Sequence, residues 1–239
     1  MRILVIQHSA ADSLASAESL LHALGHELVQ VRIDRQQPIP VSVECDAMIL
    51  LGGPYPLTTP HRPVWMGEEQ QLVRKYIERD RRILGICLGA QILASALGAS
   101  VQRNEQPELG WHEVRRMSRE SSLANHGLPD QMTVFHWHRD TFEIPPGAHR
   151  LFESTGCRNQ AFCLEDRIFG LQFHLEADAR TIRTFLAVSS HRELEGTRVQ
   201  TEDQIMAGIP KYLPQQINHL TTFLSLLLPQ QEAGPSDTA

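Results

Sequence analysis

Over its first hundred residues the chain alternates short, almost wholly apolar runs with longer stretches in which apolar positions recur every three or four residues. The runs "RILVI" (2–6), "LVQVRI" (28–33), "DAMILL" (46–51) and "RILGI" (82–86) have the length and β-branched content of strands. Between them, "SLASAESLLHALG" (13–25) predicts a helix closed by Gly25, and a second helix is expected from about Gly67 to Arg79. Strands that are apolar on both faces need helices on both sides. The predicted fold is therefore α/β, a mostly parallel central sheet flanked by helices. Such sheets carry their ligands beyond the carboxyl ends of the strands. Gly52-Gly53-Pro54 follows the third run and Cys87 the fourth, so both loops are expected on one edge of the sheet.

After residue 100 the period changes. "WHEVRRM" (111–117), "MTVFHWH" (132–138) and "RIFGLQFH" (167–174) alternate apolar and polar positions, which predicts an antiparallel addition to the sheet. Helical spacing returns from about Ile217 to Leu228, and its apolar stripe is expected to pack on its own chain rather than on a partner. The predicted organisation is one domain over 1–190, a helical extension over 191–229, and a disordered polar tail, "QQEAGPSDTA", over 230–239.

Composition narrows the classes of function. A chain of 239 residues suits one large α/β domain with an appendage. With 41% apolar and 21% charged residues and a net charge of −6, nothing electrostatic invites nucleic acid or an anionic membrane, so a small-molecule substrate is expected. No stretch approaches the roughly 20 apolar residues of a membrane span. "MRILVIQH" is too short in its apolar run for a secretory signal, so a cytoplasmic location is expected. The four cysteines, Cys45, Cys87, Cys157 and Cys163, lack C-x-x-C spacing and are expected as reduced thiols.

Cys87 stands apart from the other three. Gly-Ile-Cys-Leu-Gly (85–89) has the layout of a nucleophile elbow, a sharp strand-to-helix turn that lifts one side chain into the cleft. The helix expected from Leu88 brings its positive end to the sulfur, and the thiolate is the nucleophilic form. A nucleophile of this kind needs a base held by a third group. "GLQFHLEAD" offers His174 and Glu176 two residues apart; on an extended chain both point the same way, with Glu176 fixing the tautomer of His174.

"GICLGAQILA", "ILLGGPYP" and "GLQFHLEAD", with "HWHRDTFEIPPGA" and "NQAF", closely resemble class I glutamine amidotransferases with a Cys-His-Glu triad, in particular free-standing proteins similar to the glutaminase half of GMP synthase. The resemblance spans about residues 1–190 and implies that fold and a thioester route for hydrolysing the glutamine side-chain amide, with Cys87 as nucleophile and His174 as proton carrier. It also implies backbone N–H groups of Gly53 and Leu88 as the oxyanion hole, with Gln91 and the segment His138-Arg139-Asp140 at the substrate. Arg139 stands where the family has glycine, which opens γ-glutamyl peptide hydrolysis on the same triad as the alternative activity. No phosphate-binding loop for a synthase occurs in the chain, so the ammonia acceptor is expected on a separate subunit if there is one.

Two rival readings stand against the triad. His112, His136 and His138, together with His174 and Glu176, allow a metalloenzyme site, since His-x-His is a common ligand pair. No family metal motif matches, however, and no metal or cofactor is expected. A non-catalytic relic is the other, and it sits poorly with three triad residues retained in order.

Overall fold

The computed structural model describes residues 1–188 and 195–230. The first residues of the expected extension (191–194) and positions 231–239 of the expected tail lie outside the described residues. Nine strands form a single sheet in the order β2-β1-β3-β4-β9-β8-β7-β5-β6. The strands are β1 (Arg2–Gln7), β2 (Glu27–Arg32), β3 (Ala47–Leu50), β4 (Arg82–Ile86), β5 (Val101–Arg116), β6 (Gln131–Phe142), β7 (His149–Glu153), β8 (Ala161–Leu164) and β9 (Ile168–Leu171). The helices are α1 (Ser16–Ala23), α2 (Val64–Glu78), α3 (Leu88–Ala96), α4 (Ser122–Gly127), α5 (Ala179–Val188) and α6 (Glu202–Leu227).

The α/β expectation holds, and the sheet is mixed. β2-β1, β1-β3, β3-β4 and β4-β9 pair in parallel. β9-β8, β8-β7, β7-β5 and β5-β6 pair antiparallel. The period change after residue 100 marks β5 and β6, antiparallel strands that keep open positions along their length, but not β9: the run 167–174, expected in the antiparallel addition, supplies a strand that is buried throughout and pairs in parallel with β4 as well as antiparallel with β8. β5 is much longer than its 111–117 core suggested. It starts at Val101 and runs beside β6, with a register shift between Arg103 and Glu108.

Four parallel neighbours, β1, β3, β4 and β9, end in step. Ile6 pairs with Leu50, Leu50 with Gly85, and Ile86 with Leu171. Everything that follows these strands in the chain emerges on one edge: His8 after β1, Gly52-Gly53 after β3, Cys87 after β4 and His174 after β9.

The C-terminal helix is longer than its sequence pattern predicted. α6 begins at Glu202 instead of near Ile217, with Thr201 and Gln204 forming a capping box, and it passes through Pro210 and Pro214. Two prolines read as breakers, because each removes an N–H from the helical ladder. Burial offsets that loss. Ile205, Ile209 and Leu213 pack with Trp111, Phe135 and Phe185, while Leu220, Phe223, Leu224 and Leu227 enter the main core with Val134, Phe169 and Phe173. As expected, the stripe is buried on its own chain.

Candidate active site

The backbone of Cys87 sits at φ 52°, ψ −108°, a positive-φ conformation uncommon outside glycine. Such a turn survives only where its surroundings enforce it. Here Cys87 N donates to Leu171 O at 2.8 Å, Gln91 N to Cys87 O at 3.1 Å, and Gly89 N to Leu51 O at 3.1 Å. The flanking glycines allow the close packing. A Cβ on Gly85 would stand 2.6 Å from Gly89 O, and one on Gly89 would run into the Leu50 backbone. The sharp turn expected from Gly-x-Cys-x-Gly is present and leaves Cys87 8% exposed.

His174 Nδ1 lies 2.8 Å from Glu176 Oε1, both side chains are buried, and the Cys87 Sγ, 3.8 Å from Trp137 O, is near enough to the His174 ring to act on its charge. The route to this contact differs from the extended strand expected. β9 stops at Leu171 and the chain turns, with Ala177 N donating to His174 O at 3.4 Å, so Glu176 reaches the ring by a turn and not by period-two alternation. Burial alone would push the His174 pKa down, but the Glu176 carboxylate and the Cys87 sulfur outweigh it and hold the pKa well above the ordinary histidine value. The other thiols are deeply buried. Burial raises Cys45, Cys157 to about 11 and Cys163 to about 12, which leaves them poor nucleophiles.

Gly52 and Gly53 lie beside the side chains of Cys87, His174 and Glu176. A Cβ on Gly52 would crowd Asp12 and come within 3.1 Å of His174 Cε1, and one on Gly53 would lie 2.8 Å from His8 Cβ and 2.9 Å from Leu88 Cδ2. The Gly53 N–H donates to no backbone or side-chain acceptor among the described residues, and Leu88, the first residue of α3, has an N–H with no intrahelical partner. Gln91 is buried rather than solvated, its amide donating to Gln172 Oε1 at 3.1 Å and to Asp140 O at 3.4 Å. The His138 ring also reaches Asp140 O, at 3.1 Å, while the Asp140 carboxylate takes bonds from Thr58 and Arg103. Arg139 is exposed and makes no hydrogen bond or ion pair among the described residues.

The histidines do not assemble as one metal set. His112 turns to the backbone, with Nε2 2.9 Å from Arg198 O, and His174 pairs with Glu176. Instead Glu108, His136 and His138 bring their ligand atoms within 4.8 Å of one another. Both Glu108 oxygens are already engaged, by Ser154 Oγ at 2.7 Å and by Gln160 Nε2, with His138 Nε2 3.2 Å away. Burial would raise the Glu108 pKa, but those partners hold it well below the usual carboxylate range. The cluster is a hydrogen-bonded knot around β5 and β6 in which the ring nitrogens of His136 make no hydrogen bond among the described residues, Nδ1 lying 3.8 Å from a Glu108 oxygen.

Sequence reasoning missed four residues that the fold brings to this edge. Asp12, held by Ser9, is a second buried carboxylate near His174; burial raises its pKa, against the lowering effect of His174. Gln216 of α6 accepts from Phe135 N at 2.9 Å and donates to His174 O at 3.2 Å and Ala177 O at 3.1 Å. His8 and Glu69 form a wholly buried pair beneath the Gly52-Gly53 loop. None belongs to a local motif. Two left a trace: Glu69, as an acidic residue on the apolar stripe Met66, Leu72, Val73 and Tyr76 of α2, and His8, as the residue directly after β1.

Known proteins share this architecture. The chain is 27% identical over 225 residues to the glutamine amidotransferase-like protein YfeJ of Salmonella typhimurium, covering 91% of this chain and 93% of that one. It is 31% identical over 148 residues to a glutamine-hydrolysing GMP synthase subunit of Sulfurisphaera tokodaii, covering 61% of this chain and 75% of the relative. The crystal structure of a glutamine amidotransferase from Methylobacillus flagellatus superimposes with a TM-score of 0.89 at 26% identity, covering 97% of this chain and 95% of that one. One from Thermotoga maritima gives 0.84 at 28%, covering 95% and 97%. The family model for class-I glutamine amidotransferases matches residues 11–190, which takes in the elbow, the glycine loop and His174 with Glu176, and the chain belongs to that family.

Proposed function

We propose that the protein hydrolyses the side-chain amide of glutamine through a covalent thioester. The observation that carries this reading is the meeting, at one edge of the sheet, of a strained Cys87 turn with a His174–Glu176 pair whose contact is 2.8 Å. Cys87 Sγ attacks the amide carbon, and the negative charge that develops on the carbonyl oxygen is taken by the N–H groups of Gly53 and Leu88. The C–N bond then breaks, and the proton held by His174 goes to the departing ammonia. Water, giving a proton back to His174, attacks the thioester; the C–S bond breaks, and glutamate leaves with Cys87 restored. Glu176 orients the ring and stabilises its charged form throughout.

Gln91, His138, Arg139 and Asp140 are assigned to the substrate's amino-acid end. Gln91, His138 and Asp140 already converge on the Asp140 carbonyl, so their part is to shape the wall of the pocket, with Arg139 at its exposed rim. Catalysis is assigned to the family-matched domain, 1–190, and support of its strand ends to the helical segment within 191–229. The kinship to a glutamine-hydrolysing GMP synthase subunit supports transfer of the ammonia to a separate synthase polypeptide. The experiment is glutamate release by the purified protein from glutamine and, in parallel, from γ-glutamyl dipeptides. Preferential turnover of glutamine is expected; turnover confined to the dipeptides would replace it by γ-glutamyl hydrolysis on the same triad.

A further inference from the structure

The His8–Glu69 pair has no place in the thioester chemistry, yet it is among the most deeply buried polar contacts in the protein. Both side chains are at 0% exposure, with His8 Nε2 3.1 Å and 3.0 Å from the two Glu69 oxygens. The other ring nitrogen, Nδ1, lies 3.0 Å from Leu51 O and 3.1 Å from Gly52 O. Each nitrogen therefore faces oxygen acceptors alone, and the ring satisfies them all only by carrying hydrogen on both. Burial works against that charged form, but the Glu69 carboxylate outweighs it and raises the His8 pKa above its ordinary value. The ring is further fixed by stacking on Trp65, with centroids 5.2 Å apart.

A buried charged pair is a weak source of stability, since desolvation offsets most of its attraction. What this one does is hold two successive carbonyls of the loop that faces the triad. The Gly52 carbonyl and the Gly53 N–H belong to one trans peptide unit and point in opposite directions. With the carbonyl fixed on His8, the Gly53 N–H is turned away from the His8 ring and left unpaired among the described residues. A Gly-Gly peptide turns over readily, because neither residue has a Cβ to restrict it.

We propose that the His8–Glu69 pair is a positioning device that holds the Gly52–Gly53 peptide in the orientation that presents the Gly53 N–H to the oxyanion, so that this half of the hole is formed before substrate binds. The proposal rests on the thioester reading for its consequence in catalysis, and on the loop geometry alone for the orientation of the peptide. Leu51 O also accepts from Gly89 N at 3.1 Å, so the same carbonyl that His8 holds ties the glycine loop to the first turn of α3. A displaced loop would disturb both halves of the hole.

The test compares wild type with His8→Leu, which fills similar space without a donor, and with Glu69→Gln, which keeps the shape but removes the charge. Three solution readouts are taken: kcat and KM for glutamine, inhibition by the γ-aldehyde analogue of glutamine, and the rate of Cys87 alkylation by iodoacetamide. The aldehyde forms a tetrahedral adduct that needs the oxyanion hole, whereas alkylation does not. In His8→Leu, kcat should fall about a hundredfold, the scale for losing one oxyanion donor, with KM within about threefold. Aldehyde affinity should fall in parallel while alkylation stays within about twofold of wild type. Glu69→Gln should show the same pattern at about tenfold, and should decide the matter if His8→Leu fails to fold. Unchanged kcat and aldehyde affinity in a folded variant would overturn the proposal, as would alkylation falling in step with kcat, which would place His8 in the triad's support. Should the wild type hydrolyse no glutamine, the substrate reading fails. The positioning claim is then read from crystal structures of wild type and the two variants: a Gly52–Gly53 peptide turned over in a variant supports it, and the same orientation in all three contradicts it.

Discussion

At the level of single residues, the site separates one thiol from three others of the same chemistry. Cys87, 8% exposed, sits in a strained turn where β4 ends, whereas Cys45, Cys157 and Cys163 are more deeply buried and have raised pKa values. Iodoacetamide at neutral pH is expected to label Cys87 first, and peptide mapping after partial alkylation checks it; equal labelling of all four would mean that the turn confers no selectivity. His174 and Glu176 are expected to differ in weight. On the proposed thioester route His174 moves protons and Glu176 polarises the ring, so His174→Ala should cost about a thousandfold in kcat and Glu176→Gln at least about tenfold less. The pH profile gives a sharper reading. Because the Glu176 carboxylate raises the His174 pKa, its removal lowers that pKa, and the alkaline limb of kcat/KM, where the imidazolium loses its proton, should move to lower pH in Glu176→Gln. A limb that stays in place would take the orienting role from Glu176.

Among the elements, α6 carries more of the site than its position outside the family-matched segment suggests. Gln216 bridges β6 and the catalytic turn through three hydrogen bonds, to Phe135 N, His174 O and Ala177 O. Gln216→Leu leaves Phe135 N and Ala177 O buried without a partner and His174 O with only its long bond from Ala177 N, which should destabilise the protein by about 1–3 kcal/mol in denaturant unfolding. The same change should lower kcat with little effect on KM, since the His174 backbone loses its restraint while the pocket wall stays. Undiminished kcat in a destabilised Gln216→Leu would reduce α6 to a stabilising element. The parallel strands and the elbow were legible in the sequence because a continuous apolar run followed at once by Gly-x-Cys-x-Gly has few other structures open to it. The start of α6 was not, because Pro210 and Pro214 interrupt its local pattern and only tertiary burial of Ile205, Ile209 and Leu213 offsets them. The turn that delivers Glu176 was hidden for a related reason: a spacing of two fits an extended strand and this tight turn equally well.

The whole molecule is a mixed sheet whose parallel half carries the proposed site and whose antiparallel half packs with α6. Four adjacent strands end together, and their following residues supply the proposed nucleophile Cys87, His174 with Glu176, the glycine loop and the histidine of the His8–Glu69 pair. The strand-end rule pointed to this edge from sequence, and His8, directly after β1, falls under the same rule. What sequence could not reveal is pairing across distance, as between His8 and Glu69 or between His174 and Gln216, since no local spacing encodes it. Among the described residues no helix is long and apolar enough to cross a membrane, and the 239-residue chain is matched nearly end to end by the amidotransferase structures. The central claim is that glutamine passes through a thioester on Cys87. Its most direct test is acid quenching of the protein during turnover of glutamine, followed by mass analysis of the peptide that carries Cys87, beside the Cys87→Ser variant. The account predicts a γ-glutamyl adduct on Cys87 in wild type and loss of glutamate release in the variant; glutamate release that persists in Cys87→Ser, with no adduct in wild type, would contradict it.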